Sequence, residues 1–242
     1  MAEEFSRTIR INASSCDRFQ RLRMSALFSI LQEMSISDVE GIGVTREMTL
    51  DKGLLWVISR MKLEFERMIS YDEEITFSTW PGERSHMMFP RYYEARDAEG
   101  NLVFRGSSLW LLISESTRTI IRPEDYGIEI PAREGKEQCE LPMALRSIDS
   151  DRPASIRTVL YSDIDLNGHV NNTRYLDWID DLFDVHFHEV YVPTAVQINY
   201  DHEVEYGSSV SLHYEYGEQI YRIDGKLGDH AAFRARFEVK KA

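Results

Sequence analysis

The sequence is short of the features that announce most specialised chemistries. Only two cysteines occur in 242 residues, Cys16 and Cys139, far apart and outside any CxxC pair. That argues against a disulfide framework or a zinc knuckle and suits a reducing, cytoplasmic setting. Long apolar runs are missing: stretches such as LWLLI at 109–113 are far too short to span a bilayer. The opening MAEEFSRTIRIN is acidic and then alternates, unlike a signal peptide. Basic charge is scarce as well, and 28 Lys and Arg against 41 Asp and Glu leave a formal net charge of −13. Nucleic acid and anionic membrane are therefore disfavoured as partners. There is no Gly-rich phosphate loop, no GxSxG elbow and no HExxH helix, so no cofactor or metal is implied. Asp184, His186 and His188 offer ligand types, but a solvated helix face is the simpler reading.

What is present is a repeat. MKLEFERMISYDEEITF (61–77) and VQINYDHEVEYGSSVSL (196–212) align without a gap at an offset of 135. Met61, Leu63 and Phe65 match Val196, Ile198 and Tyr200 as one apolar face, the alternation of a half-buried strand. Upstream, SRTIRINASSCDR (6–18) resembles SIRTVLYSDID (155–165), a strand entering a polar turn, and each is followed by apolar residues at helical spacing. Downstream, RYYEARDAEGNLVFRGSSLWLLI (91–113) and QIYRIDGKLGDHAAFRARFEV (219–239) each read as strands joined by a turn. Each half is therefore strand, helix, then several antiparallel strands: an α+β fold of two sheets, each wrapping a long helix, and two such units can join their sheets edge to edge. The expected boundaries are an N-terminal unit at 1–130, a charged linker at 131–153 and a C-terminal unit at 154–242.

The densest polar chemistry is DIDLNGHVNNTRYLDW (163–178). It stands just before a helix, where unpaired N–H groups and the positive dipole end favour an oxyanion. The backbone N–H groups of Val170 and Asn171 are the candidate donors. Asn167 can donate its amide, His169 can donate, accept or carry charge, and Asp165 can orient its neighbours. Capping explains such a cluster equally well. The first copy discriminates: a loose alignment of the helix starts sets Asp165, Asn167 and His169 against Arg18, Gln20 and Leu22, and Glu203 matches Met68. A polar set in one half and apolar counterparts in the other suggest one catalytic half and one that shapes a substrate pocket. Met87, Met88, Trp56, Trp80 and Trp110 are candidates to line it.

YSDIDLNGHVNNTRYLDWIDD (161–181) resembles the signature of the acyl-acyl carrier protein thioesterases of plants and bacteria, and the likeness extends to GLLWVISRMKLEFER (53–67) and LPMALRSIDSDRP (141–153). The resemblance implies two tandem hotdog domains. It carries the family's catalytic Asp, Asn and His onto Asp165, Asn167 and His169, and its downstream acidic residue onto Glu203. Plant members commonly have a cysteine immediately afterwards; here it is Val204, which tells against a thiol nucleophile.

The implied reaction is hydrolysis of fatty acyl-acyl carrier protein. Glu203 activates a water as general base, Asn167 and His169 hold the water or carbonyl, and Asp165 fixes their geometry. Asp165 as base, or a carboxylate attacking directly, stays open. The implied partner is an acidic acyl carrier protein, for which RFQRLR (18–23) and Arg234 with Arg236 are candidate docking patches. A monomer and a homodimer both fit. The competing readings are an acyl-CoA thioesterase and a non-catalytic acyl-binding module.

Overall fold

The computed structural model describes residues 4–133, 139–150 and 152–242. The chain runs β1 (Phe5–Arg10), α1 (Met24–Gly41), β2 (Leu54–Phe65), β3 (Glu74–Pro81), β4 (Phe89–Arg96) and β5 (Leu102–Ser114). It continues with β6 (Ser155–Thr158), α2 (Arg174–Asp180), α3 (Val185–Val190), β7 (Tyr191–Tyr200), β8 (Ser209–Gly217), β9 (Ile220–Leu227) and β10 (His230–Lys241). Among the described residues no helix is long and apolar enough to cross a membrane.

Two expectations are corrected. The strands form not two sheets but one ten-stranded antiparallel sheet, in the order β1-β3-β4-β5-β2-β7-β10-β9-β8-β6. The physical reason is the pair of edges that two separate sheets would leave: β2 and β7 would each present unpaired N–H and C=O groups, and pairing them removes both edges. Their register is self-complementary. Lys62 pairs with Gln197, its own counterpart, while Met61 pairs with Ile198 and Leu63 with Val196. A pseudo-two-fold axis therefore passes through the β2–β7 ladder, and the strand order reads the same outward from it on both sides.

The second correction concerns the helices. α1 is long and buries Leu27, Phe28, Leu31 and Met34 against the sheet. The second half has two short helices instead. Asp180 and Asp181 fall at the C-terminal end of α2, where the helix dipole disfavours negative charge. Asp184 then caps α3, its Oδ1 accepting the Phe187 N–H at 2.8 Å. The larger of two core clusters runs through both halves and includes Leu31, Leu63, Phe104, Tyr175, Trp178, Val196 and Phe233.

The charged linker is largely a strap. Residues 134–138 and 151 lie outside the described residues. The remainder crosses the sheet's outer face in strand order. Glu140 O accepts from Ser107 Oγ of β5 at 2.7 Å, and its carboxylate takes Lys62 Nζ of β2 at 2.8 Å. Met143 O accepts from Gln197 Nε2 of β7 at 2.7 Å, Leu145 O from Arg234 of β10, and the Ile148 N–H reaches Asp224 Oδ2 of β9 at 3.0 Å. Ser107, Gln197 and Asp224 are buried polar groups on that face, and the strap supplies their partners.

Candidate active site

Two backbone loops in this chain are copies of one another. In the second half, the Asp165 N–H donates to His169 O at 2.9 Å, closing a turn around Gly168, whose φ is +82. The Asn167 N–H donates to Asp165 Oδ1 at 2.8 Å. In the first half, the Asp17 N–H donates to Arg21 O at 2.8 Å around Gln20, at φ +62, and the Phe19 N–H donates to Asp17 Oδ1 at 2.8 Å. The Val170 N–H then reaches Val204 O at 2.8 Å, and the Leu22 N–H reaches Ile69 O at 2.8 Å.

The true counterparts of Asp165, Asn167 and His169 are therefore Asp17, Phe19 and Arg21, one residue away from the expected Arg18, Gln20 and Leu22. Asp165 keeps its partner across the repeat, because a carboxylate at that point folds the turn. The chemical differences narrow to Asn167 for Phe19, His169 for Arg21 and Glu203 for Met68.

The oxyanion assignment is also corrected. The Val170 N–H is engaged by Val204 O, and the Asn171 N–H donates to Asp163 O at 2.8 Å. Neither is available to a substrate oxygen. The loop approaches the helix as a small β-bridge between Ile164 and Val170, so these amides pair with backbone before α2 begins at Arg174. Asn171 Oδ1 instead caps the approach, accepting from the Thr173 N–H at 2.9 Å and Thr173 Oγ1 at 2.7 Å. Among the described residues the exposed Asn167 side-chain amide makes no hydrogen bond within the chain.

His169 and Glu203 are brought together from the loop and from the segment after β7: His169 Nε2 stands 3.6 Å from Glu203 Oε2. The imidazole Nδ1 is buried without a hydrogen-bond partner. On its other side Glu203 Oε1 meets Arg118 Nη1 at 3.1 Å. Arg118 lies in the first half, in the turn after β5, at φ +55. Nothing in the residue pattern singled it out, because the contact joins sequence-distant halves. Tyr175 lies on the buried face of α2. Burial raises its phenol pKa well above the ordinary value, and the carboxylates of Asp165 and Glu203 raise it further. It stays protonated beside both carboxylates, a donor that composition alone does not reveal.

Asp165, Asn167 and Asn171 face a cavity of about 310 Å³ whose other walls come from α1 and from β2, β4 and β5 of the first half. Trp56 and Trp110 line it, with Ile36, Val39 and Phe89; Met87, Met88 and Trp80 do not. His169 and Glu203 are not among its lining residues.

The remaining candidates resolve into structure. Burial pushes the thiols of Cys16 and Cys139 up, away from the reactive thiolate. Val204 is fully buried and its counterpart Ile69 nearly so, which makes position 204 a core position in both halves. His188 Nε2 lies 2.9 Å from Asp180 O, and His186 faces Glu189 at 3.6 Å. Arg234 is held bidentately by Asp201 at 2.8 and 2.7 Å, and Arg236 pairs with Glu238 at 2.8 Å. Their charge is already answered within the chain, so that docking patch is withdrawn.

Comparison with known proteins gives the family and the fold. Residues 2–129 match the family model for the acyl-ACP thioesterase N-terminal domain and residues 149–236 that for the C-terminal domain. A chloroplastic palmitoyl-acyl carrier protein thioesterase of Arabidopsis thaliana is 29% identical over 164 residues, 62% of this chain and 40% of that protein. A chloroplastic dodecanoyl-[acyl-carrier-protein] hydrolase of Cinnamomum camphora is 27% identical over 202 residues, 75% of this chain and 53% of that protein. The chain spans about half the length of the curated relatives it matches. An acyl-ACP thioesterase from Bacteroides thetaiotaomicron has the same fold, with a TM-score of 0.85 at 23% identity over 98% of each chain. So does the 12:0-ACP thioesterase from Umbellularia californica, with a TM-score of 0.81 at 20% identity over 99% of this chain and 94% of that one. By its sequence over both domains, the chain belongs to the acyl-ACP thioesterase family.

Proposed function

We propose that this chain hydrolyses the thioester of fatty acyl-acyl carrier protein, releasing the fatty acid and ending chain elongation. One observation carries the reading: an apolar cavity supplied by one half opens on the polar loop of the other, where Asn167 offers an uncommitted amide. The acyl chain would lie between α1 and the sheet, and the thioester carbonyl would stop at Asn167. Glu203 is the general base. Its carboxylate is two-fifths exposed and reachable by water, whereas His169 Nδ1 is buried and its Nε2 faces Glu203. With the Val170 and Asn171 amides engaged, oxyanion stabilisation falls to the Asn167 amide, with the Tyr175 hydroxyl as a second candidate donor. Asp165 holds the turn that aims Asn167, and Arg118 and His169 hold Glu203.

In this reading the two halves are tandem hotdog units at 1–130 and 154–242, the first shaping the pocket and the second carrying the chemistry. The fused sheet already provides the pairing that separate units would obtain by dimerising, so the chain works as a monomer or as a homodimer of fused pairs, in the cytoplasm. The test is release of fatty acid from a series of acyl-carrier substrates beside the same acyl groups on CoA. Faster turnover on the carrier supports the reading. Equal or faster turnover on CoA moves the substrate to acyl-CoA, and no release from either removes the activity.

A further inference from the structure

A two-fold relation between halves calls for a second cavity, and the structure has one. About 330 Å³ lies between the Asp17–Met24 loop of the first half and α2–α3 of the second. Its lining is that of the first cavity carried across the pseudo-axis. Asp17, Arg18, Phe19 and Arg23 stand where Asp165, Leu166, Asn167 and Asn171 stand in the other. On the helix side, Asp180, Phe183, Phe187 and His188 lie at the same offset of 148 from Gln32, Ser35, Val39 and Glu40, which line the first cavity.

The substitutions have a direction. Phe19, Arg21 and Met68 replace Asn167, His169 and Glu203, which removes the groups that could attack or polarise a thioester. The walls become more aromatic: Phe183 stacks on Phe187 at 4.4 Å, Tyr221 meets Phe183 at 5.1 Å, and Tyr191 meets Phe187 at 5.2 Å. The rim becomes cationic, with Arg18 for Leu166 and Arg23 for Asn171. Three guanidiniums, Arg18, Arg21 and Arg23, line the cavity with three carboxyls, Asp17, Asp180 and Asp181. Asp17 Oδ1 accepts the N–H groups of Phe19 and Arg21 at 2.8 and 2.9 Å, and Asp181 pairs with Arg157. Burial raises the Asp180 carboxyl to about 7, so it is only partly ionised near neutrality. Arg18 makes no ion pair among the described residues and lies over the Phe19 ring at 5.3 Å.

We infer that this second cavity is a non-hydrolytic binding site for a free fatty carboxylate, its chain among Phe183, Phe187 and Tyr221 and its head group on Arg18 and Arg23. Aromatic walls with charged groups gathered at the loop and helix rim suit a small amphiphilic ligand, and a guanidinium pair suits a carboxylate. The choice of a fatty chain rests on the proposed function, because that reaction would release such a carboxylate beside this site.

Calorimetric titration of decanoate, below its micelle concentration, into the full chain tests the inference. Two binding events are expected. Val185→Trp, which fills the second cavity from its exposed edge, removes one and leaves the initial hydrolysis rate intact. Ile36→Trp fills the first cavity and removes the other event. Arg18→Glu weakens the second event about tenfold, the loss of one charge-assisted hydrogen bond. A single event in the wild type, lost in Ile36→Trp and kept in Val185→Trp, overturns the inference. So does an Arg18→Glu variant that raises KM for acyl-carrier substrate without touching decanoate binding, which would assign the rim to carrier docking. The titration needs no turnover, so failure of the proposed hydrolysis is read separately.

Discussion

Arg118 from the first half holds Glu203 of the second, Nη1 to Oε1 at 3.1 Å. The contact crosses between the halves, so the proposed base is oriented by the half that otherwise supplies the pocket. Both side chains are more than a third exposed, which makes the pair a minor term in stability, at most about 1 kcal/mol. Arg118→Ala is expected to leave the melting temperature near wild type and to lower kcat roughly tenfold with little change in KM, because a free Glu203 samples unproductive rotamers. Arg118→Lys should recover part of the loss. An unchanged kcat in Arg118→Ala would show that the pair is only surface charge.

Asp165 and its counterpart Asp17 make the same bond to the amide two residues on, at 2.8 Å in each loop. The turn needs an acceptor at that position, not a charge. Asp165→Asn is therefore expected to keep the fold and most of the activity, while Asp165→Ala loses both the turn bond, about 1 kcal/mol, and the aim of Asn167. Kinetics on the two variants decide between roles: a dead Asp165→Asn with unchanged stability would make Asp165 the base.

The buried ion pair between Arg91 Nη1 on β4 and Asp38 Oδ2 on α1, 2.6 Å long, stands beside the first cavity. Arg91 also donates to Thr79 Oγ1 at 3.2 Å. Asp38→Ala leaves a buried guanidinium short of its counter-charge and should cost about 3–5 kcal/mol, read from the urea midpoint. A loss under about 1 kcal/mol, the size of an exposed pair, would mean that water reaches the pair.

Asp180 gives the pH dependence a definite sign. Burial raises its carboxyl to about 7, against a lesser opposing pull from His188; Asp177 and Asp181 add to the rise and Arg23 opposes it. Between the unfolded value near 3.8 and about 7 the folded state holds the proton that the unfolded state has released. This group's contribution to stability is therefore full below about 4 and lost as pH rises to about 7. Asp180→Asn should match wild type at low pH and exceed it at pH 8, in urea titrations across that range. Parallel stability curves for the two proteins would contradict the assignment.

Much of this was legible in the residues, and the misses have physical causes. The offset of 135 between β2 and β7 could be read because strand alternation survives substitution of individual side chains. The loop before the helix is set by backbone bonds, and its counterparts lie 148 apart, as Asp17 and Asp165 do. Gln20 takes the left-handed position that Gly168 holds, which hid the likeness and allowed the alignment to slip by one. The Val170 and Asn171 amides looked available because sequence proximity to a helix says nothing about Val204 O and Asp163 O. That the sheets can join edge to edge was open from the sequence, but that β2 and β7 are the joining edges is not reported by alternation within a strand. Arg118 meets Glu203 only through the fold.

The central claim, that Glu203 drives hydrolysis of the acyl-carrier thioester, is tested most directly by turnover of Glu203→Gln on acyl-carrier substrate beside wild type. The amide keeps the size of the side chain and a hydrogen bond with Arg118 through its oxygen. Wild type is expected to hydrolyse the substrate, and Glu203→Gln to lower kcat by about 10²–10⁴ with binding of the fatty acid product unchanged. Wild-type turnover in Glu203→Gln would contradict the claim.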